Sequence, residues 1–444
     1  MEIYDTLHLA KDHALKKGAE TCDVLYNSSE SEDLEVFEGE LSKAETLSSQ
    51  GLGIRLFKSQ RPGYAFTQRL TKEAIQQMVD DAISHTELTE KIDIELPDPA
   101  DFPDVDLKRW NPELETLPLE VMRDFCLDME QRAREGDKKV INVPHAGIGK
   151  GSSHMALLNS KGLKYQSRTN SISAYVSVVA EDGDQKKTGS YGNGGRSFLD
   201  FNLARFSKIA VERGLELLGA KPISSGPIPV IFSNRVSPSI MGLYGSCFSA
   251  DSVQKGQSRL SGKLGSKIAH ESVQLSCEPH LEKRPGSRII DAEGVVCQPL
   301  KLIYEGHLCS FIYNLETASK EGRASTGHGV RGLRGKAGHG FSNLIMEKGS
   351  VSLQAILERT PRCLYVFKLD GSAACSAVSG EISIGVQGWL MENGQMVQPV
   401  DSITLNGNFF DLIKNIQVVS DNYSDTFSGV KIPDILVEGL TVSG

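Results

Sequence analysis

"DLEVFEGELSKAETLSSQGLGIRLF", Asp33 to Phe57, carries two β signals in succession. Its first part reads as two strands meeting at Glu38-Gly39. Its end alternates Leu52, Ile54 and Leu56 against Gly53 and Arg55, the period of a half-buried strand. A turn is expected at Pro62-Gly63. A helix follows from near Thr71, with Ile75, Met78, Val79, Ala82 and Ile83 on one face.

The same order returns about 120 residues later. "HMALLNSKGLKYQSRT" gives a hairpin around Lys161-Gly162, and "SISAYVSVVA" alternates Ile172, Ala174, Val176 and Val178. Asp182-Gly183 turns the chain, and a helix carries Leu203, Phe206, Ala210, Gly214 and Leu217 on one stripe. This recurrence predicts a duplicated hairpin-strand-helix unit over 20–90 and 140–220, within an N-terminal α+β domain of residues 1–224. Between the copies, Glu95 to Pro118 is an acidic connector whose prolines exclude a regular helix or central strand, and a helix bearing Met122, Phe125, Met129 and Ala133 follows it. "KPISSGPIP" at 221–229 marks the second boundary. Residues 225–444 are expected to be β-rich, with hairpins over Glu305-Gly306 and Asn393-Gly394 and few helices. The fold class is therefore α+β.

Charge and cysteine usage narrow the function. A net charge of −9 gives no basic face for nucleic acid. "MEIYDTLHLAKDHALKKG" reads as an amphipathic helix rather than a signal peptide, and no apolar run approaches bilayer length. Eight cysteines without a C-x-x-C pair suit reduced core thiols, so a cytoplasmic location is expected.

The stretch with the most unusual chemistry is "STGHGVRGLRGKAGHG", Ser325 to Gly340. Gly327, Gly329 and Gly332 satisfy G-x-G-x-x-G, but a polar segment enters and further glycines leave, so no helix N-terminus is available for a pyrophosphate. A phosphate-binding G-x-x-x-x-G-K-[ST] and a nucleophile elbow are both absent from the sequence. His270-Glu271 begins a zinc motif, yet Gln274 and Leu275 stand where the second histidine belongs. His328 and His339, with His280 or Cys309, remain conceivable ligands that spacing alone does not join.

The run "SGEISIGVQGWLMENGQMVQPVDSITLNGNFFDLIKNI", Ser379 to Ile416, resembles the hallmark of the TldD/PmbA (TldE) family, metallopeptidase-related modulators of DNA gyrase. "GLGIRLF", "NSKGL", "DAEGV" (Asp291 to Val295), "STGHG" (Ser325 to Gly329) and the closing "LTVSG" fall in the family's order. The resemblance implies that a metal-bearing branch carries H-E-x-x-x-H, then G-D and K-G. Matching Asp251 and Lys255-Gly256 to that pattern puts Met241, Gly242 and Ser246 at the His, Glu and His positions. A thioether, a glycine and a hydroxyl do not hold Zn²⁺ in its usual tetrahedron.

The resemblance thus implies a PmbA/TldE-like subunit, with no catalytic residue, metal ligand or cofactor of its own. Zinc would reside in a TldD-like partner, and the substrate would be a small or unfolded peptide. Ser325, Thr326, Gly327, His328, Gly329 and Arg331, with Arg334, are the candidate peptide-binding loop, and a mobile surface loop is the other reading. A stand-alone peptide-binding homodimer and a metallopeptidase using His328 and His339 stay open as alternatives. A gyrase or DNA role finds no support in the charge.

Overall fold

Glu38 and Gly39 both take positive φ (54° and 79°), the type I′ geometry whose twist suits a two-residue hairpin. They join β1 (Thr21–Phe37) to β2 (Glu40–Lys58). The computed structural model describes residues 2–444. Before β1 stands α1 (Ile3–Lys16); after β2 come β3 (Arg61–Thr67) and α2 (Lys72–His85), capped by the Thr71 hydroxyl accepting from the Ala74 N–H. The second unit repeats this order as α3 (Leu119–Glu135), β4 (Val140–Asn159), β5 (Lys164–Asp182), β6 (Gln185–Gly195) and α4 (Leu203–Leu215). Each unit is αβββα, so the repeat carries a leading helix beyond the hairpin-strand-helix pattern expected from the sequence.

The six strands form one antiparallel sheet in the order β3-β2-β1-β4-β5-β6, with β1 and β4 back to back at its centre. Two helix pairs cover its two ends. Leu52, Ile54 and Leu56 lie with Cys22, Val24 and Tyr26 under Leu7 and Ala10 of α1 and Ile75 and Val79 of α2. Ile172, Ala174, Val176 and Val178 lie under Met122 and Met129 of α3 and Phe206 and Ala210 of α4. Each buried Val, Leu, Ile, Phe or Met among them contributes about 1.5–3 kcal/mol.

Two readings of the first copy need correction. "GLGIRLF" is the second half of the 19-residue β2, not a separate strand, and Gly51 to Phe57 are buried on both faces rather than one. The helices cover one face, and C-terminal loops cover the other. The turn falls at Ser59-Gln60, both at positive φ, while Pro62 and Gly63 lie in β3. As an edge strand, β3 tolerates a proline because one of its sides needs no donor.

Beyond residue 225 the chain is mostly strand. Arg362–Asp370 and the hairpin Glu381–Glu392/Gln395–Asn408 form the middle of an eight-stranded mixed sheet, with Val230–Phe232 parallel to Arg362–Asp370. Asn393-Gly394 makes the expected type I′ turn (φ 48° and 81°), as does Glu305-Gly306. A five-stranded sheet gathers Leu275–Cys277, Leu300–Tyr304, His307–Leu308, Leu344–Met346 and Val430–Lys431. The helices here are short, α5 (Ser237–Tyr244) having eight residues. The eight thiols are free; six are buried, Cys375 is half-buried and Cys309 is exposed. Among the described residues no helix is long and apolar enough to cross a membrane.

Candidate functional site

Three short landmarks that lie far apart in sequence meet on the sheet face opposite α1 and α2. "GLGIRLF" supplies Arg55, "DAEGV" supplies Asp291 and Glu293, and "STGHG" supplies Gly329 with Arg331 two residues on. Asp23 of β1 sits directly across the ladder from Arg55. The Arg55 guanidinium donates from Nε to Asp23 Oδ2 (2.9 Å) and from Nη1 to Glu293 Oε1 (2.5 Å). Arg331 Nη2 stands 2.5 Å from Asp23 Oδ1 without the alignment of a hydrogen bond. Asp23, Arg55 and Glu293 are each 1% exposed. Burial works against the Arg55 charge, but the two carboxylates outweigh it and raise its pKa. Arg331 shifts down, because burial and the neighbouring Arg55 exceed what Asp23 returns.

The two loops hold each other through backbone groups. Asp291 Oδ1 accepts from the N–H groups of Glu293 and Val295, closing a tight Asx-type turn. Its Oδ2 accepts from Gly329 N (2.8 Å), and Ala292 N donates to Gly329 O (3.0 Å). A Cβ on Gly329 would stand 2.6 Å from Glu293 Oε2, so this contact requires glycine. Burial beside Glu293 pushes the Asp291 carboxyl up to about 7.

The loop residues divide by side-chain environment. Ser325 Oγ donates to Tyr313 O, and Thr326 Oγ1 accepts from Tyr313 N. His328 is 1% exposed; its Nδ1 meets Thr326 O at 2.8 Å, and its buried Nε2 has no partner among the described residues. Burial, aided by Arg288, lowers His328 to about 4. Gly329–Val330 pairs with Gly338–His339 as a two-stranded ribbon, and Leu333 at its tip lies against Gly51 and Gly53 of β2. Arg334 covers the Phe66 ring, and His339 Nε2 meets Thr317 Oγ1 at 3.0 Å. The loop is therefore docked between the sheet and the C-terminal half.

Met241, Gly242 and Ser246 lie on α5 and the 3-10 turn after it. Met241 is packed in the C-terminal core, while Gly242 and Ser246 are exposed. These residues do not fit zinc: the thioether is committed to apolar packing and one position has no side chain. Among the described residues no three or more His, Cys, Asp or Glu side chains come together in a group able to hold a metal ion, which includes His270, His280, His328, His339 and Cys309.

Sequence reasoning missed Arg55 because an arginine alternating with leucine reads as the wet side of a strand. The usable signal was beside it. Gly51 and Gly53 occupy the same face as Arg55, and small residues in a row signal a backbone lying close above. Asp23, one residue from Cys22, gave no sign of its role.

The two shifted groups make opposed contributions to stability between pH 7 and 5. His328 titrates at 6.5 when unfolded and about 4 when folded, so its contribution is lost as pH falls below 6.5. Asp291 moves from 3.8 to about 7, so its contribution is complete at low pH and lost as pH rises through 7. The His328 contribution amounts to roughly 2 kcal/mol over this interval. His328→Asn keeps a donor for Thr326 O and removes one of the two. Relative to the unmodified chain, the variant should gain roughly 2 kcal/mol on acidification from pH 7 to 5 in paired urea titrations. Identical pH dependence in both proteins would exclude a neutral buried His328.

Family models match the chain in three stretches. Models of the PmbA/TldA metallopeptidase family match residues 22–85 (domain 1), 112–218 (central domain) and 225–444 (C-terminal domain). The chain is 28% identical over 416 residues to Metalloprotease PmbA of Escherichia coli O157:H7, covering 91% of this chain and 88% of that one. It is 23% identical over 415 residues to the Metalloprotease TldD homolog of Haemophilus influenzae, covering 90% and 85%. Among solved structures, a proposed modulator of a DNA gyrase from Thermotoga maritima superposes with a TM-score of 0.89 at 25% identity, over 99% and 100% of the two chains. TldE from Thermococcus kodakarensis gives 0.88 at 23% identity, over 100% of each.

Proposed function

We propose that this chain, which belongs to the PmbA/TldD metallopeptidase family, holds peptide for a metal-bearing relative and does not hydrolyse it alone. The observation that carries this reading is the chemistry at positions 241, 242 and 246. Zinc-assisted peptide hydrolysis needs imidazole, thiolate or carboxylate ligands around an open coordination position and a base to take the water's proton. Met241 in the core, Gly242 without a side chain and an exposed Ser246 supply neither.

The seam between the sheet and the docked loop supports the binding half of the reading. Among the described strands, Gly338–His339 has one neighbour, Gly329–Val330. Its other side offers backbone groups to an extended peptide by strand addition, a mode that tolerates varied side chains. The buried Arg55 cluster anchors the inner strand of that ribbon through Glu293, Asp291 and Gly329.

Reconstitution tests the proposal. The purified chain should hold essentially no zinc by elemental analysis and leave an unfolded peptide substrate intact. Mixed with an H-E-x-x-x-H relative from the same genome, it should co-elute with that relative and raise its peptide cleavage about tenfold, a change of about 1.4 kcal/mol in barrier. One tightly held zinc per chain together with cleavage by the chain alone would overturn the proposal. So would a mixture that neither associates nor changes in rate.

A further inference from the structure

Between the six-stranded sheet and the docked loops lies a cavity of about 240 Å³, smaller than the usual pocket for a drug-sized ligand. Arg109 of the connector, Arg288 and Arg331 line it, together with Asn27, Ser167 and Asp291. The guanidinium of Arg109 makes no hydrogen bond or ion pair among the described residues, and its Nε is enclosed. Burial first, and the like charge of Arg288 after it, lower the Arg109 pKa, with Tyr165 opposing. Arg288 gives one N–H to Gly340 O, and its own Nε is buried without a partner. Arg331, with 3% of its side chain exposed, also leaves Nε unpartnered.

Like charges enclosed together, with donors unused, are costly unless an anion joins them. Asp291 does not serve as that anion, because its two oxygens already accept three backbone N–H groups. The cavity lining brings three guanidiniums, of Arg109, Arg288 and Arg331, against one carboxyl, Asp291, so positive charge is in excess there and an anion fits. Guanidinium forks pair with planar carboxylates through parallel N–H bonds.

We propose that this cavity captures the terminal carboxylate of a peptide between Arg109 and Arg288, an inference that rests on the peptide-holding reading above. The cavity admits the last residue of a chain and sets the end from which a bound peptide is measured. Arg109 is suited to this role because its structural work is done by its backbone. Its carbonyl accepts from Asn170 N and Thr169 Oγ1 while the side chain stays free.

The test is isothermal titration of the full chain with N-acetyl-tetraalanine as the free acid, as its C-terminal amide, and with inorganic phosphate as competitor. The free acid should bind at least tenfold more tightly than the amide. Arg109→Met should abolish that difference without moving the melting temperature, and Arg288→Gln should reduce it. Equal binding of acid and amide would overturn the carboxylate site while leaving peptide holding intact. Binding of neither peptide would overturn both readings. Phosphate that binds without displacing the acid, or an acid preference that survives both substitutions, would also overturn the carboxylate site.

Discussion

Arg55→Met lowers the melting temperature by about 3–5 °C, corresponding to a loss of about 3–5 kcal/mol in this long chain. Methionine fills much of the same space and restores none of the charge. Asp23 keeps an ion contact with Arg331, but Glu293 retains only the Leu315 N–H, 2.8 Å from its Oε2. The cost therefore falls on Glu293, a carboxylate buried without a cation. This locates the compensating change. Arg55→Met/Glu293→Gln should recover a large part of the loss, whereas Arg55→Met/Asp23→Asn should not, since Asp23 is then removed from Arg331 as well. Calorimetry of the three proteins decides it. A single variant melting within about 0.5 °C of the unmodified chain would mean that the cluster adds no net stability.

Gly53→Val forces the loop at 329–340 off the sheet. A Cβ at Gly53 would stand 2.3 Å from the carbonyl oxygen of Leu333 and 2.8 Å from its Cα. The obstruction is backbone, which cannot swing away as a side-chain tip can. Overpacking of this kind costs about 1–3 kcal/mol or more. Here the cost concentrates in the one loop that must retreat, so amide hydrogen exchange across Gly329 to Gly340 should speed up at least tenfold. Gly332→Ala is the control, because a Cβ there meets nothing within 4 Å. It should leave both exchange and melting within about 0.5 kcal/mol of the starting protein. Unchanged exchange in Gly53→Val would show that Leu333 does not hold the loop. The glycine required for this approach lies in the strand beneath the loop, although the loop is the glycine-rich element.

That displacement explains which features could be read from the chain. Asn393-Gly394, the Thr71 cap and the alternation of Ile172 to Val178 are local, and local chemistry determines each of them. Pro62-Gly63 looked like a turn for the same local reason. Its edge position depended on strand order, which no dipeptide encodes. Arg55 failed differently. Period-two alternation reports one covered face, and β2 has two. The second cover comes from residues near 293 and 333, far down the chain, and period carries no information about them. At the site, "DAEGV" and "STGHG" were visible as motifs through family resemblance. That they interlock through Asp291 and Gly329 is a tertiary fact.

Arg55 and Glu293 are separated by 238 residues. At a synthesis rate of about 5–20 residues per second, Arg55 leaves the ribosome tens of seconds before its second partner exists. The first sheet can form in that interval, with Asp23 opposite Arg55 and helices on its outer face, but the inner face must stay hydrated until the C-terminal half arrives. Until the C-terminal half is made, the face that carries Arg55 and Asp23 has no cover, and its charge keeps it wetted. An arginine and an aspartate hold water on a surface that an all-apolar strand would offer to the nearest aggregating neighbour.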